Sequence, residues 1–126
     1  KTAYCRLSLV HLLLQDGFAS LLLNGPCPPD RDFQDILEKD GRKIGITSSG
    51  DSRSILQGGF GVILPPNPDL VIFPTHTRGD TVWYVEELEA IGTLSPLVWI
   101  RKTYADGETN RAAANTQDAL NLRSRI

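Results

Sequence analysis

The apolar residues of this chain come in short runs that glycine and proline keep interrupting, which restricts it to small elements packed around one core. Eleven glycines and eight prolines are spread over 126 residues. The longest apolar stretch, Leu7 to Leu14, is itself broken by Ser8 and His11. A bilayer span needs about 20 consecutive apolar residues, so no membrane-spanning segment is expected. Nor is the stretch followed by the small-residue cleavage pattern of a secretory leader. The chain lacks methionine altogether, and it reads as a fragment or processed product. A chain of this length buries about two-thirds of its unfolded surface on folding, so residues 1–126 are expected to form a single domain.

Within that frame, Leu7, Leu9, Val10, Leu12, Leu13 and Leu14 are apolar nearly all round a helical wheel. This predicts a buried N-terminal helix, ended at Asp16-Gly17. Phe18 to Leu23 reads as a short strand, Asn24-Gly25-Pro26 as a turn, and Pro28-Pro29 keeps the chain extended. Phe33, Ile36 and Leu37 fall at i, i+3, i+4 spacing, the period of a short helix. Lys39-Asp40-Gly41-Arg42 predicts a hairpin turn into a strand over Lys43 to Thr47. Ser48 to Ser54 holds no large apolar side chain and reads as a mobile loop. Strands are expected at Phe60 to Leu64, Leu70 to Phe73, Thr81 to Ile91 with a bulge near Glu86, and Leu97 to Thr103. After Asp106-Gly107, Thr109 or Asn110 would cap a weak C-terminal helix through Leu122. The fold class expected is therefore β-rich α+β: a small β-barrel or curled antiparallel sheet, with a buried N-terminal helix and a weak C-terminal one. Its β core would span residues 33–109 and its helical tail residues 110–126.

Charge gives no strong direction. Thirteen basic residues stand against fifteen acidic ones, a formal charge of −2, so no net field draws the chain to a phosphate backbone or an anionic membrane. The distribution is uneven: residues 54–100 carry one basic and five acidic side chains, and residues 101–126 carry five and three. Two cysteines, Cys5 and Cys27, are too few for a disulfide scaffold, which favours a reducing intracellular compartment.

Catalytic and cofactor motifs are missing. Cys5, His11, Cys27 and His76 lack zinc-ligand spacing. Gly58-Gly59-Phe60-Gly61 lacks the Lys-Ser/Thr of a phosphate loop and reads as glycines entering a strand. His76 sits in a Pro- and Gly-flanked loop with no nucleophile elbow nearby. A Mg²⁺-dependent nuclease would want an acidic residue followed by an acid-x-Lys pair. Asp69 is followed instead by Glu86-Glu87-Leu88-Glu89. No catalytic residue, metal or cofactor is expected, and the chain reads as a binding module.

Three segments resemble the first half of a bromo-adjacent homology (BAH) domain. They are Gly59-Phe60-Gly61-Val62-Ile63-Leu64-Pro65-Pro66, Trp83-Tyr84-Val85-Glu86-Glu87-Leu88-Glu89-Ala90-Ile91, and Val98-Trp99-Ile100-Arg101-Lys102-Thr103-Tyr104 with Glu108-Thr109. Phe33 to Ile44, with its turn at Lys39 to Arg42, is similar to the strand and turn that open such a domain. The resemblance implies a nuclear module docking on histone tails, nucleosomes or other chromatin proteins, with Tyr84 and Tyr104 at the positions of an aromatic cage. Such cages hold quaternary ammonium groups by cation–π attraction. Lys102 stands where the central cage Trp would be, so the face should suit an unmodified peptide, an acidic patch or a phosphate better than trimethyl-lysine. The acidic run Glu86, Glu87, Glu89 would attract a basic tail.

A second likeness runs through the N-terminal helix, Asp16-Gly17-Phe18, Leu56-Gln57-Gly58, Gly61 to Pro65 and Ile100-Arg101-Lys102. These are similar to the N-terminal domain of the coronavirus leader protein, non-structural protein one. That resemblance implies suppression of host translation in the cytoplasm through the ribosome or RNA, with Arg101 and Lys102 as RNA contacts. A third expectation is a structural subunit whose apolar N-terminal helix packs into a larger assembly. The binding residues expected are Tyr84, Trp99, Arg101, Lys102 and Tyr104, with a protein partner or RNA and no membrane.

Overall fold

The computed structural model describes residues 2–23, 32–76, 78–94, 96–101 and 106–126. Among them the order of elements is α1 (Thr2–Gln15), β1 (Ala19–Ser20), β2 (Gln34–Lys39), β3 (Arg42–Thr47), α2 (Arg53–Ile63), β4 (Leu70–Ile72), α3 (Asp80–Ala90) and α4 (Glu108–Ser124). The strands lie side by side in sequence order as one open sheet, β1-β2-β3-β4. The first three form an antiparallel meander. β4 runs parallel to β3, with Ile44, Gly45 and Ile46 opposite Leu70, Val71 and Ile72. A parallel neighbour needs a crossover, and α2 supplies it. The sheet is therefore mixed and not closed, which replaces the expected barrel or curled antiparallel sheet.

Helices cover both faces of the sheet, and strand alternation sorts the side chains between them. Leu37, Ile44 and Ile46 point to one side, where Leu9, Val10 and Leu13 of α1, together with Phe33 and Ala119 of α4, complete a core. Ile36 points to the other, against Leu56, Phe60 and Ile63 of α2, Val85 of α3 and Leu94. Parallel β4 divides the same way: Leu70 and Ile72 pack on the first cluster and Val71 on the second.

This double burial corrects the reading of Phe33, Ile36 and Leu37 as a helix. A strand covered on both faces carries contiguous apolar residues, here Ile36 and Leu37, and Phe33 just before the strand stands at helical spacing from both by coincidence. The turn between β2 and β3 is as expected. Asp40 and Gly41 both have positive φ, at 53° and 81°, the pair of left-handed residues that a type I′ hairpin demands.

Two expected strands are helices. Residues 60–63 belong to α2 and Leu64 is its C-cap; at the other end the Ser52 side chain accepts from the Ile55 amide at 3.3 Å as an N-cap. Leu56, Gly59, Phe60 and Ile63 are buried at i, i+3, i+4, i+7 and seat that helix on the sheet. Residues 81–91 form α3 and its C-cap, with Thr81 and Val85 buried and Tyr84 and Leu88 half-buried along one stripe. The break in alternation at Glu86, read as a bulge, is the helical period. A third expected strand, Leu97 to Thr103, has no regular structure over residues 97–101, and Lys102 and Thr103 lie outside the described residues.

Other expectations hold in outline. α1 ends near Gly17, where the Phe18 amide donates to the Leu13 carbonyl at 3.0 Å. α4 is present and runs through Leu122 to Ser124, starting after Gly107 rather than at a Thr or Asn cap. Of the Phe18 to Leu23 strand, two residues pair with β2. The start of the expected mobile loop is anchored: Ser48, Ser49 and Gly50 are buried, and the Ser48 hydroxyl accepts from the Phe33 amide at 2.8 Å.

Candidate functional site

The two parallel strands end together, and that edge is where open sheets with parallel strands commonly place a ligand crevice. Here it is lined by hydroxyls, which accept from the Gln34 side-chain amide and from a backbone amide. Gln34 Nε2 donates to Ser49 Oγ at 2.8 Å and to Thr47 Oγ1 at 3.3 Å, and the Ser49 amide donates to Thr47 Oγ1 at 3.1 Å. α2 lies directly on this group: a Cβ at Gly59 would stand 2.6 Å from Thr47 Oγ1. Beside it His76 Nε2 meets the Asp51 carbonyl at 2.8 Å, and the His76 amide donates to the buried Thr81 hydroxyl at 3.1 Å. The imidazole is thus held by a backbone oxygen rather than by a serine. These hydrogen bonds tie together the β3–α2 and β4–α3 junctions.

Carboxylates in the interior are also committed to structure. Asp35, fully buried, accepts from Ser20 Oγ at 2.7 Å and from the amides of Leu22, Leu23 and Ile36 at 3.1, 3.4 and 2.8 Å. It thereby fixes residues 20–23 along β2. At the surface, the exposed Asp69 accepts from the Lys43 amide at 2.9 Å. Among the described residues no group of three or more His, Cys, Asp or Glu side chains is placed to hold a metal ion.

The expected binding residues fall on the α2/α3 side and just beyond it. Tyr84 lines a shallow groove of about 490 Å³ with Gln57, Phe60, Gly61, Leu64 and Pro65. Its ring is 6.1 Å from that of Phe60, which packs edge-on against Phe73 at 4.9 Å. The Arg53 guanidinium lies 4.8 Å from the Tyr84 centroid and reaches Glu87 at 3.1 Å. A cation from this chain already lies over the ring, so Tyr84 ties α2 to α3 and its bound face is not open to an incoming ammonium. Trp99 and Arg101 are exposed on the irregular segment after α3. Lys102 and Tyr104 lie outside the described residues, so the expected meeting of Tyr84 with Tyr104 has no counterpart among them.

Trp83 was missed as a site residue. The sequence placed it on an expected strand, Thr81 to Ile91, and gave it no binding role. On the helix it stands 65% exposed with Glu86, Glu87 and Ala90 at i+3, i+4 and i+7, opposite the buried stripe. Ile91 at the helix end, Val98 and Trp99 are 73%, 65% and 55% exposed. Glu89 accepts from the Leu97 amide at 3.2 Å, which holds the start of the 97–101 segment against the second half of α3. The sequence signal was there: Thr81, Tyr84, Val85 and Leu88 repeat at helical spacing and leave Trp83 outside. No helix among the described residues is long and apolar enough to cross a membrane.

The fold and these surfaces define the class: an α+β chain with an open four-stranded mixed sheet and helices on both faces. No family model matches the chain, and no curated protein or solved structure matches it.

Proposed function

We propose that this protein is a non-enzymatic binding module that docks a protein partner on the outer surface of α3 and residues 97–101. The observation that carries the reading is the exposure of Trp83 and Trp99, each more than half open to solvent. A tryptophan has much apolar area to bury and an indole N–H to orient it, and it is among the residues most often dominating protein interfaces. The polar groups at the sheet edge and around Asp35 are consumed in internal hydrogen bonds, which favours binding over chemistry.

A histone tail or nucleosome as the partner rests on the sequence likeness to the bromo-adjacent homology family alone. The segments that carry the likeness at residues 59–66 and 83–91 are largely helical here. Titrating the wild-type chain and Trp99→Ala against nucleosomes, histone-tail peptides and short RNAs by isothermal calorimetry tests the proposal. The expected result is binding to a protein or peptide that Trp99→Ala weakens about tenfold or more, as for an interface anchor. Binding to RNA alone, or binding indifferent to Trp99, would overturn it.

A further inference from the structure

Charge on this chain is segregated in a way its overall balance conceals. All thirteen Lys and Arg residues lie outside residues 79–100, which hold Asp80, Glu86, Glu87 and Glu89. All four carboxylates are on α3, a helix with no basic residue, and the exposed apolar side chains Trp83, Ile91, Val98 and Trp99 belong to the same stretch. Arg53 of α2 compensates one carboxylate, Glu87, and Glu89 is engaged with the Leu97 amide. Asp80 and Glu86 are exposed, and no ion pair to either is found among the described residues.

From this we propose that the partner segment docked on α3 is basic, with a Lys or Arg seated between Trp83 and Glu86. The inference rests on the proposed binding role of this surface and deepens it. Trp83 and Glu86 are three positions apart and share the outward face of the helix. A cation there meets the negative face of an indole and a carboxylate together, and the two attractions add. Arg suits the position best, because its planar guanidinium stacks on a ring while donating to a carboxylate. The flanking Ile91, Val98 and Trp99 require apolar residues beside the basic ones, since a purely cationic segment would leave that area wet. An acidic partner or a nucleic-acid backbone would face uncompensated carboxylates.

Three synthetic 15-residue peptide sets test this on the full chain: Arg/Lys with Leu and Trp, the same apolar pattern with Gln, and the same with Glu. Binding is read by the change in tryptophan fluorescence of the protein, using peptides with Leu in place of Trp for that readout, and by calorimetry. The basic set should bind at least about tenfold more tightly than the neutral set. Glu86→Lys and Trp83→Ala should each remove most of that preference, and rising salt should erase it in the wild type. Tight binding of neutral or acidic peptides that still depends on Trp83 would overturn the basic-partner inference and leave the docking surface standing. Failure of all three sets to bind, or binding insensitive to both substitutions, would overturn the two together.

Discussion

The two sides of the sheet end in different surfaces. On the α1/α4 side, the core closes around Leu9, Val10, Leu13, Leu37, Ile44 and Ile46, and even the buried carboxylate of Asp35 has four donors. On the α2/α3 side a second core closes around Phe60, Ile63 and Val85, yet α3 and the segment after it turn two tryptophans outward. Scattered exposed apolar residues are normal on a soluble surface. Trp83, Ile91, Val98 and Trp99, all more than half exposed, fall within one short stretch of sequence, and exposed apolar patches mark interaction sites. The contrast separates residues that hold the fold from residues free to act, and each substitution below sits on one side of it.

The largest loss of stability should follow Asp35→Ala. Removing the carboxylate takes the acceptor from the Ser20 hydroxyl and from the amides of Leu22, Leu23 and Ile36, the bond to Ile36 being buried and the others partly buried. Hydrogen bonds to a charged group are each worth about 1.5–3 kcal/mol, so a total loss of about 3 kcal/mol or more is expected in urea unfolding. Next comes Gly59→Ala, whose new methyl would stand 2.6 Å from Thr47 Oγ1. Overpacking costs about 1–3 kcal/mol, and in a Thr47→Ala background the penalty should shrink, a non-additivity that a double-mutant cycle reads directly.

Gly58→Ala should go the other way. No atom lies within 4 Å of the position a Cβ would take, the residue is exposed within α2, and alanine is favoured over glycine in a helix by about 1 kcal/mol. A rise in the unfolding midpoint is therefore expected. Smallest of all on stability should be Trp83→Ser and Trp99→Ser, each within about 0.5 kcal/mol of wild type. A large loss from either would place that indole in the fold rather than on a binding surface.

Legibility in the sequence tracked how many faces an element buries. The β2–β3 turn was readable because Asp40-Gly41 has few other uses, and β4 was readable between Asp69 and Pro74. α1 was readable because the apolar residues between Leu7 and Leu14 fall nearly all round a helical wheel, which suits a buried helix better than a strand. α2 was misread because Gly58, Gly59 and Gly61 weaken its intrinsic helix preference, while tertiary contact, Gly59 against Thr47 and Phe60 against Phe73, supplies what propensity lacks. α3 was misread because Val82 and Tyr84 alternate before the helical stripe Thr81, Tyr84, Val85, Leu88 becomes evident. That error concealed the candidate surface, since Trp83 faces outward only once the segment is a helix. Trp99 and Arg101 were named from the sequence and are exposed, whereas Tyr84 is partly spent on Phe60 and Arg53. The Gln34, Thr47 and Ser49 group was not foreseen, because only the hairpin register and the α2 crossover bring those three side chains together.

The most direct test pairs two readouts on the same samples of wild type, Trp83→Ala and Trp99→Ala: the urea unfolding midpoint and the affinity for the basic 15-residue peptide. The account predicts that both variants keep the wild-type midpoint while affinity falls by about tenfold or more, close to 1.4 kcal/mol in binding. Affinity unchanged in both variants, or lost only in step with a lowered midpoint, would contradict it.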